Sequence, residues 1–259
     1  MISDARKTEL HSAAELFLKA RRTATPIADL PASLQPTSLE EAYFVQDSMA
    51  KAIQPEGTTA WKVGAPAPDA VPLFGPMISA WIADSGTILG DRRHRWRGLE
   101  AEISFLIGKD LPPRSTPYTR DEIVDAIASC HPAIEELEAG LTEPAKVAKF
   151  TMFADMQMHG GFIHGPSVAD WQKIDFAKES VMLAIDGSVQ VERTGSNTAG
   201  TDLLRLVLYL VNEASARTGG LKRGSWVTTG SWTGNTFAKA GSTVDVKFST
   251  AGGVSLRFA

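Results

Sequence analysis

The sequence has a single cysteine and lacks any long apolar run. Cys130 stands alone among 259 residues, which excludes an internal disulfide and favours a reducing compartment; we expect a buried thiol late in a helix rather than a nucleophile. No apolar stretch reaches the roughly 18 residues that span a bilayer, and the N-terminal residues lack the apolar core of a secretory signal. These absences predict a soluble, cytoplasmic protein with no membrane partner.

An excess of charge of either sign is also missing. The formal net charge is −4 and the pI is about 5.8, so no overall field attracts nucleic acid. The basic stretch at residues 91–97 has no series of aromatic residues around it, and we interpret it as a solvated loop or a subunit contact. The sequence contains no G-x-G-x-x-G motif after a strand, no P-loop, no H-E-x-x-H and no paired C-x-x-C. It therefore offers no common signature for dinucleotides, nucleoside triphosphates or zinc.

The first sixty residues are predicted to form a helical region. Apolar side chains recur at helical spacing over residues 3–22, and Ser38-Leu-Glu-Glu41 resembles a capping box that opens a second helix to about Ala52. Residues 64–76 are rich in proline and glycine and predict a loop. We place a domain boundary between residues 1–60 and residues 61–259.

The remainder of the chain is dominated by strand patterns. Strands are predicted at Ile88–Leu89, Glu100–Ile107, Val181–Ile185, Val189–Glu192, Ser225–Thr229, Thr243–Phe248 and Val254–Phe258. A capping box at Thr119 predicts a helix that ends before Pro132, and a second helix runs from Asp202 to about Thr218. Because strands and helices do not alternate regularly, the pattern favours an α+β fold.

Two carboxylates precede an apolar run in the strand at residues 100–107. Alternation places Glu100 and Glu102 on one face and the apolar side chains on the other. Like charges on one face repel, and a hard cation such as Mg²⁺ relieves that repulsion; a solvated strand face is the alternative. Periodicity does not choose a third ligand among the candidates Glu135, Glu136, Glu138, His131 and Asp155. His159 and His164 lie among glycines, a setting typical of exposed loop histidines.

Five segments carry a family resemblance by their order and spacing. They are Trp61-Lys-Val-Gly64, Gly98-Leu-Glu-Ala-Glu-Ile103, His131-Pro-Ala-Ile-Glu135, Ala154-Asp155 with Gly160-Gly-Phe-Ile-His-Gly165, and Val227-Thr-Thr-Gly-Ser231. Together they resemble the fumarylacetoacetate hydrolase superfamily, in its branch of 2-keto-4-pentenoate hydratases, 2-oxohept-3-ene-1,7-dioate hydratases and 4-oxalocrotonate decarboxylases. The resemblance covers roughly residues 40–259.

The resemblance implies a fold and a site. The fold is a strongly curved mixed β-roll with flanking helices, which makes residues 61–259 the catalytic domain. The implied ligands of a Mg²⁺ or Mn²⁺ ion are Glu100, Glu102 and Glu135. Lys62 is implied as a catalytic and substrate-binding residue, Ser231 as a substrate-binding hydroxyl and Asp155 as a further catalytic candidate. Members are usually homo-oligomers, and association with a homologous decarboxylase is a further expectation.

The function implied is hydration of a 2-hydroxy-2,4-dienoate to a 4-hydroxy-2-keto acid, in the catabolism of aromatic or related compounds. In this chemistry burial and a nearby cation are expected to lower the pKa of Lys62. The alternatives are decarboxylation of a 2-oxo-3-enedioate, hydrolysis of a carbon–carbon bond in an acylpyruvate, and a non-catalytic partner subunit. The hydrolase needs a histidine–glutamate pair, for which His11 and Glu15 are weak candidates. The segment Ala154-Asp-Met-Gln-Met-His159 departs from the family's usual A-D-N-A-S-S, so residues that face the substrate differ from those of known hydratases.

Overall fold

The computed structural model describes residues 2–90 and 93–259. Asp91 and Arg92 of the basic stretch lie outside the described residues. Within the stretch, Arg95 Nη2 donates to the carbonyls of Ala139 at 3.2 Å and Leu141 at 3.1 Å. This part of the stretch is therefore partly packed against the protein rather than fully solvated.

Two N-terminal helices form as predicted. Helix α1 (Asp4–Thr23) is capped by Ser3, and helix α2 (Leu39–Ile53) by Ser38, whose hydroxyl accepts from the Glu41 amide at 3.2 Å. Arg6 joins the two helices, since its Nε and Nη2 each donate to the Glu41 carboxylate at 2.9 Å. This bidentate pair fixes how the helices cross.

Shorter helices and two sheets make up the rest of the described chain. The helices are α3 (Arg120–Ala126), α4 (Lys149–Ala154), α5 (Leu204–Asn212) and α6 (Ser215–Thr218). The strands are β1 (Ala60–Gly64), β2 (Leu73–Pro76), β3 (Ile82–Asp84), β4 (Thr87–Leu89), β5 (Gly98–Ile107), β6 (Ile127–Leu137), β7 (His159–His164), β8 (Ser180–Ile185), β9 (Ser188–Thr194), β10 (Trp226–Ser231), β11 (Thr236–Phe237), β12 (Thr243–Phe248) and β13 (Gly252–Phe258). None of the helices in the described part of the chain is long and apolar enough to cross a membrane.

Both sheets are mixed. The larger has the order β2-β1-β10-β5-β6-β7-β3, with β11 added on β5, and the smaller has the order β4-β13-β12-β8-β9. Most neighbours are antiparallel, but β1 with β10, β3 with β7 and β4 with β13 are parallel. The larger sheet is strongly curved, so the predicted α+β fold, a curved mixed β-roll with flanking helices, is confirmed.

The main core lies between the two sheets. Ile103 and Phe105, on the apolar face of β5, are fully buried together with Leu183 of β8 and Phe248 of β12. Burying this face leaves the opposite face of β5, with Glu100 and Glu102, free to line a cavity. The sheet therefore separates the core from the carboxylates.

A second apolar cluster ties the helical region to the rest of the chain. Leu10 and Phe17 of α1 and Met49 of α2 are fully buried against Ala154 and Met156, which follow β6 in the sequence. The boundary at residue 60 stays a prediction.

Three predicted elements differ in the structure. The helix predicted from Thr119 ends at Ala126, because the following residues pair with β5 as strand β6; Cys130 is buried as expected, but in a strand. The loop predicted at residues 64–76 contains β2, which pairs with β1. The helix predicted from Asp202 is divided into α5 and α6.

Candidate metal and substrate site

The three predicted carboxylates converge on one face of the large sheet. Strands β5 and β6 are antiparallel, and their register sets Glu100 directly opposite Glu135. One carboxylate oxygen from each of Glu100, Glu102 and Glu135 lies within 4.8 Å of the other two. Like charges this close repel strongly in a buried setting. The site is therefore stable only if protons, a lysine or a cation neutralise part of the charge.

A bulge in β10 holds Glu102. The pairing with β5 shifts between Thr228 and Ser231, and Gly230 takes a φ of +86°. The Gly230 amide donates to Glu102 Oε2 at 3.0 Å, and the Thr228 hydroxyl donates to the same oxygen. A side chain at position 230 would be strained at this φ, and its Cβ would lie 3.5 Å from the Gly64 Cα. Glycine thus permits the turn that brings an amide to the carboxylate.

Lys62 reaches the same site from a distant strand. Strand β1 is separated from β6 by β10 and β5, yet Lys62 Nζ lies 2.5 Å from Glu135 Oε1 and 3.2 Å from the Gln157 carbonyl. In a flat sheet, strands three places apart are about 14 Å apart, so curvature brings the two side chains together. The lysine is 14% exposed, and Glu135 is fully buried.

His159 contacts Glu135 and is itself packed against Trp81. His159 Nδ1 lies 3.0 Å from Glu135 Oε1, and its ring stacks on Trp81 with centroids 5.8 Å apart. The imidazole is fully buried, so the prediction of an exposed loop histidine was wrong for His159. This contact holds the Glu135 carboxylate in one orientation.

Burial and mutual repulsion raise the pKa of two carboxylates. Burial, and then the charge of Glu135, raises the pKa of Glu100 to about 7. Burial, and then the charges of Glu135 and Glu100, raises the pKa of Glu102 to about 8. These carboxyls hold protons near neutral pH unless a cation displaces them.

Glu135 and Lys62 form the charged pair of the site. Burial acts to raise the pKa of Glu135, but Lys62 and His159 outweigh it and lower the pKa. Burial acts to lower the pKa of Lys62, but Glu135, Glu100 and Glu102 outweigh it and raise the pKa. The expectation of a lowered lysine pKa is therefore reversed among these carboxylates, and Lys62 is an ammonium at neutral pH.

The donor set fits a hard divalent cation. Three carboxylate oxygens converge, and Glu135 Oε2 is buried without a hydrogen-bond partner among the described residues. Mg²⁺ and similar ions prefer such oxygen donors and retain positions for water or substrate. A cavity of about 230 Å³ adjoins the carboxylates and has room for a small acid. Its walls are formed by Lys62, Val63, Gly64, Ala65, Pro66, Leu73, Glu100, Glu102, Glu135, Phe153, Gln157 and Gly230.

The structure places Ser231 beside the cluster and Asp155 outside it. The Ser231 hydroxyl hydrogen-bonds to Glu100. Asp155 accepts instead from Arg21 Nε at 2.6 Å and from the Gly140 amide at 2.7 Å, and it does not line the cavity. Asp155 therefore lies outside the residues that line the cavity, and its catalytic role stays a prediction.

Three residues of the site were not assigned to it from the sequence. Gln157 lines the cavity, His159 contacts Glu135, and Thr228 contacts Glu102. Thr228 lies within the matching segment at residues 227–231, and the other two lie in the segment that departs from the family pattern. The departure was a signal that this segment borders the site.

The strongly curved mixed sheet, with three carboxylates and a lysine beside a cavity, defines the class of this protein. It is a β-roll with a carboxylate cluster whose donor atoms suit a metal ion. The model of the family described as fumarylacetoacetate (FAA) hydrolase C-terminal matches residues 51–258, and the chain belongs to this family. No protein of curated function matches the sequence significantly.

Solved structures share the fold. A 4-oxalocrotonate decarboxylase from Pseudomonas putida G7, complexed with magnesium and adipate, is 20% identical with a TM-score of 0.84, and the match covers 97% of this chain and 98% of that one. The same decarboxylase complexed with calcium and acetate has a TM-score of 0.83, with the same identity and coverage. A 2-hydroxyhepta-2,4-diene-1,7-dioate isomerase from Mycobacterium marinum is 18% identical with a TM-score of 0.58, over 78% of this chain and 75% of that one.

Proposed function

We propose that the chain is a divalent-metal-dependent hydratase that adds water to a 2-hydroxy-2,4-dienoate and forms a 4-hydroxy-2-keto acid. The observation that carries the proposal is the cluster of Glu100, Glu102 and Glu135, with Lys62 at the same cavity. Magnesium in a solved structure of the same fold supports a divalent cation as the cofactor.

The chemistry requires control of charge on the C2 oxygen of the substrate. Glu100, Glu102 and Glu135 would hold the cation, which supplies Lewis acidity toward the carboxylate and C2 oxygen when bound. Ketonisation moves the proton of the 2-hydroxyl to C5, and water then adds across C3 and C4, with hydroxyl on C4 and hydrogen on C3. The Lys62 ammonium stabilises negative charge that develops on the C2 oxygen and holds a proton close to it.

The direct test is turnover of 2-hydroxypenta-2,4-dienoate by the purified protein with Mg²⁺. We expect loss of the dienol absorbance and formation of 4-hydroxy-2-oxopentanoate. E135Q should abolish turnover, whereas K149M, which changes an exposed lysine, should not. The proposal fails if no dienoate of this class is consumed.

Decarboxylation of a 2-oxo-3-enedioate is the second candidate. It uses the same stabilisation of an enolate, and similarity to a decarboxylase of the same fold supports it. Release of bicarbonate from the enedioate would identify it.

Carbon–carbon hydrolysis lacks comparable support. His11 packs against Phe44 with ring centroids 4.9 Å apart, and neither it nor Glu15 lines the cavity. A non-catalytic subunit that associates with a homologous decarboxylase is the remaining alternative. Metal binding without turnover, together with co-purification of an active homologue, would support it.

A further inference from the structure

The cavity beside the carboxylate cluster has a wall that is almost entirely apolar. The side chains of Pro66, Leu73 and Phe153 form this wall, whereas Val63 and Ala65 border the cavity but have side chains buried in the main core. The Gln157 carboxamide is its polar exception, and that amide already donates to the Phe74 carbonyl at 3.2 Å. A substrate that extends from the cluster along this wall therefore meets hydrocarbon.

Positive charge at the cavity is limited to a single side chain. Lys62 is the only cationic residue among the described residues that line the cavity. Its Nζ already forms an ion pair with Glu135 Oε1 at 2.5 Å. Three carboxylates, one lysine and one divalent cation together carry no net charge. One substrate carboxylate can bind at the cation, but a second carboxylate on the same substrate would find no partner along the apolar wall.

We propose that this cavity selects 2-keto monoacids with an apolar chain beyond C4 and discriminates against diacids, with Leu73 and Phe153 as specificity-determining residues. The inference rests on the proposed function, since it assumes that the keto-acid end binds at the carboxylate cluster. Burial of an unpaired carboxylate is costly, whereas burial of a hydrocarbon chain is favourable. The substrate of the reaction is then a dienoate with a hydrogen, alkyl or aryl group at its far end.

One exposed lysine lies close enough to challenge this inference. Lys149 Nζ is 5.5 Å from the centroid of the Phe153 ring, but the lysine is exposed and does not line the cavity. If Lys149 reached in to bind a second carboxylate, its removal would weaken diacid binding selectively. The variant K149M measures this contribution.

Calorimetric binding of two unreactive ligands in saturating Mg²⁺ tests the inference. The ligands are 2-oxohexanoate and 2-oxoadipate, which share a six-carbon chain and differ in the terminal carboxylate. We expect the wild-type protein and K149M to bind 2-oxohexanoate at least about tenfold more tightly. Equal or tighter binding of 2-oxoadipate by the wild-type protein would overturn the inference, as would a diacid affinity that depends on Lys149.

A cation placed on the wall should reverse the preference. Leu73 begins β2 and lines the cavity, so L73R would place a guanidinium where the far end of the substrate is expected to lie. We expect L73R to tighten 2-oxoadipate binding by about tenfold and to weaken 2-oxohexanoate binding. The matched control is V71R, two residues away at a site that is 71% exposed, which should change neither. An unchanged preference in L73R, with an unchanged melting temperature, would contradict the role of Leu73.

The result separates this inference from the proposed function. If neither keto acid binds in a Mg²⁺-dependent manner, the proposed function fails and the inference falls with it. If both bind but the diacid is preferred, the keto-acid site stands and the inference alone is overturned.

Discussion

Glu102 is the carboxylate of the cluster whose pKa is raised furthest, and its proton competes with a cation for the site. Its pKa is raised to about 8 by burial and by the charges of Glu135 and Glu100, and that of Glu100 is raised to about 7. A cation binds the deprotonated forms, so it must displace protons below these pKa values. Mg²⁺ affinity should therefore rise as the pH increases through this range and fall as it decreases.

We expect the Kd for Mg²⁺ to weaken at least about tenfold between pH 8 and pH 6, with proton release on binding. Calorimetry in buffers of different ionisation enthalpy measures both quantities. The variant T228V removes a hydroxyl whose hydrogen bond lowers the pKa of Glu102, so its affinity curve should shift to higher pH. An affinity that is constant over this range would show that the carboxyls are already ionised.

Substitution of Lys62 should affect cation binding and the rate of the reaction differently. Its ammonium lies next to the carboxylates that would hold the cation, so K62M removes a competing positive charge. We expect Mg²⁺ affinity to be retained or increased, whereas kcat falls by about 10²- to 10³-fold because charge on the substrate oxygen loses its stabilising group. K149M is the exposed control. A parallel loss of Mg²⁺ affinity and kcat in K62M would instead mean that the lysine only orients Glu135.

The carboxylate pair was predictable from the sequence because its cause is local. Alternation along one strand places Glu100 and Glu102 together whatever the rest of the chain does. Glu135 joins them through the register of β5 with β6, which no local pattern specifies. Only the family resemblance indicated it. Lys62 likewise depends on the curvature of four neighbouring strands, a property of the whole sheet.

At the scale of elements, pairing between strands β5 and β6 ended the helix that the local sequence predicted from Thr119. The capping box at Thr119 does form, with Glu122, but the helix lasts only two turns before β6 begins. The capping box predicts where a helix starts and carries no information on its length. His159 was mispredicted because neighbouring glycines were taken to indicate a loop, whereas they allow β7 to pack closely: a Cβ at Gly160 would lie 2.6 Å from the Glu138 Cβ.

The turn between α4 and β7 depends on an arginine of the first helix. Three successive residues at positions 156–158 have positive φ values of 53°, 51° and 61°, each costing about 1–2 kcal/mol outside glycine. Arg21 secures the turn by hydrogen bonds to the Asp155 carboxylate and to the carbonyls of Asp155, Glu138 and His159, all between 2.6 and 2.9 Å. This turn places the Gln157 carbonyl where it accepts a hydrogen bond from Lys62 Nζ.

We expect R21A to destabilise the protein by about 3–5 kcal/mol, because it leaves the Asp155 carboxylate buried and unpaired. Since His159 loses its anchor, Mg²⁺ affinity should also fall. Chemical denaturation and calorimetry measure the two effects. R22A, at the neighbouring exposed position, is the control. Wild-type Mg²⁺ affinity in folded R21A would contradict the proposed positioning of the site by α1.

On the scale of the whole molecule, the helical region and the β-roll share both packing and polar contacts. Phe17 of α1 is fully buried in a cluster that includes Met156, and Arg21 of the same helix holds the turn beside the site. Elements that share a core unfold together. The predicted boundary at residue 60 therefore has a thermodynamic test.

We expect a single cooperative unfolding transition. All six tryptophans lie beyond residue 60, so fluorescence reports mainly the β-roll, although Trp81 packs against the cluster formed by α1 and α2. Far-ultraviolet circular dichroism responds strongly to α1 and α2 themselves, with 20 and 15 residues. The two signals should have the same denaturation midpoint. F17A, which empties a buried site at a cost of about 3–5 kcal/mol, should lower both midpoints equally. If the dichroism midpoint alone moved, residues 1–60 would be an independent domain, and control of the site by α1 would require another explanation.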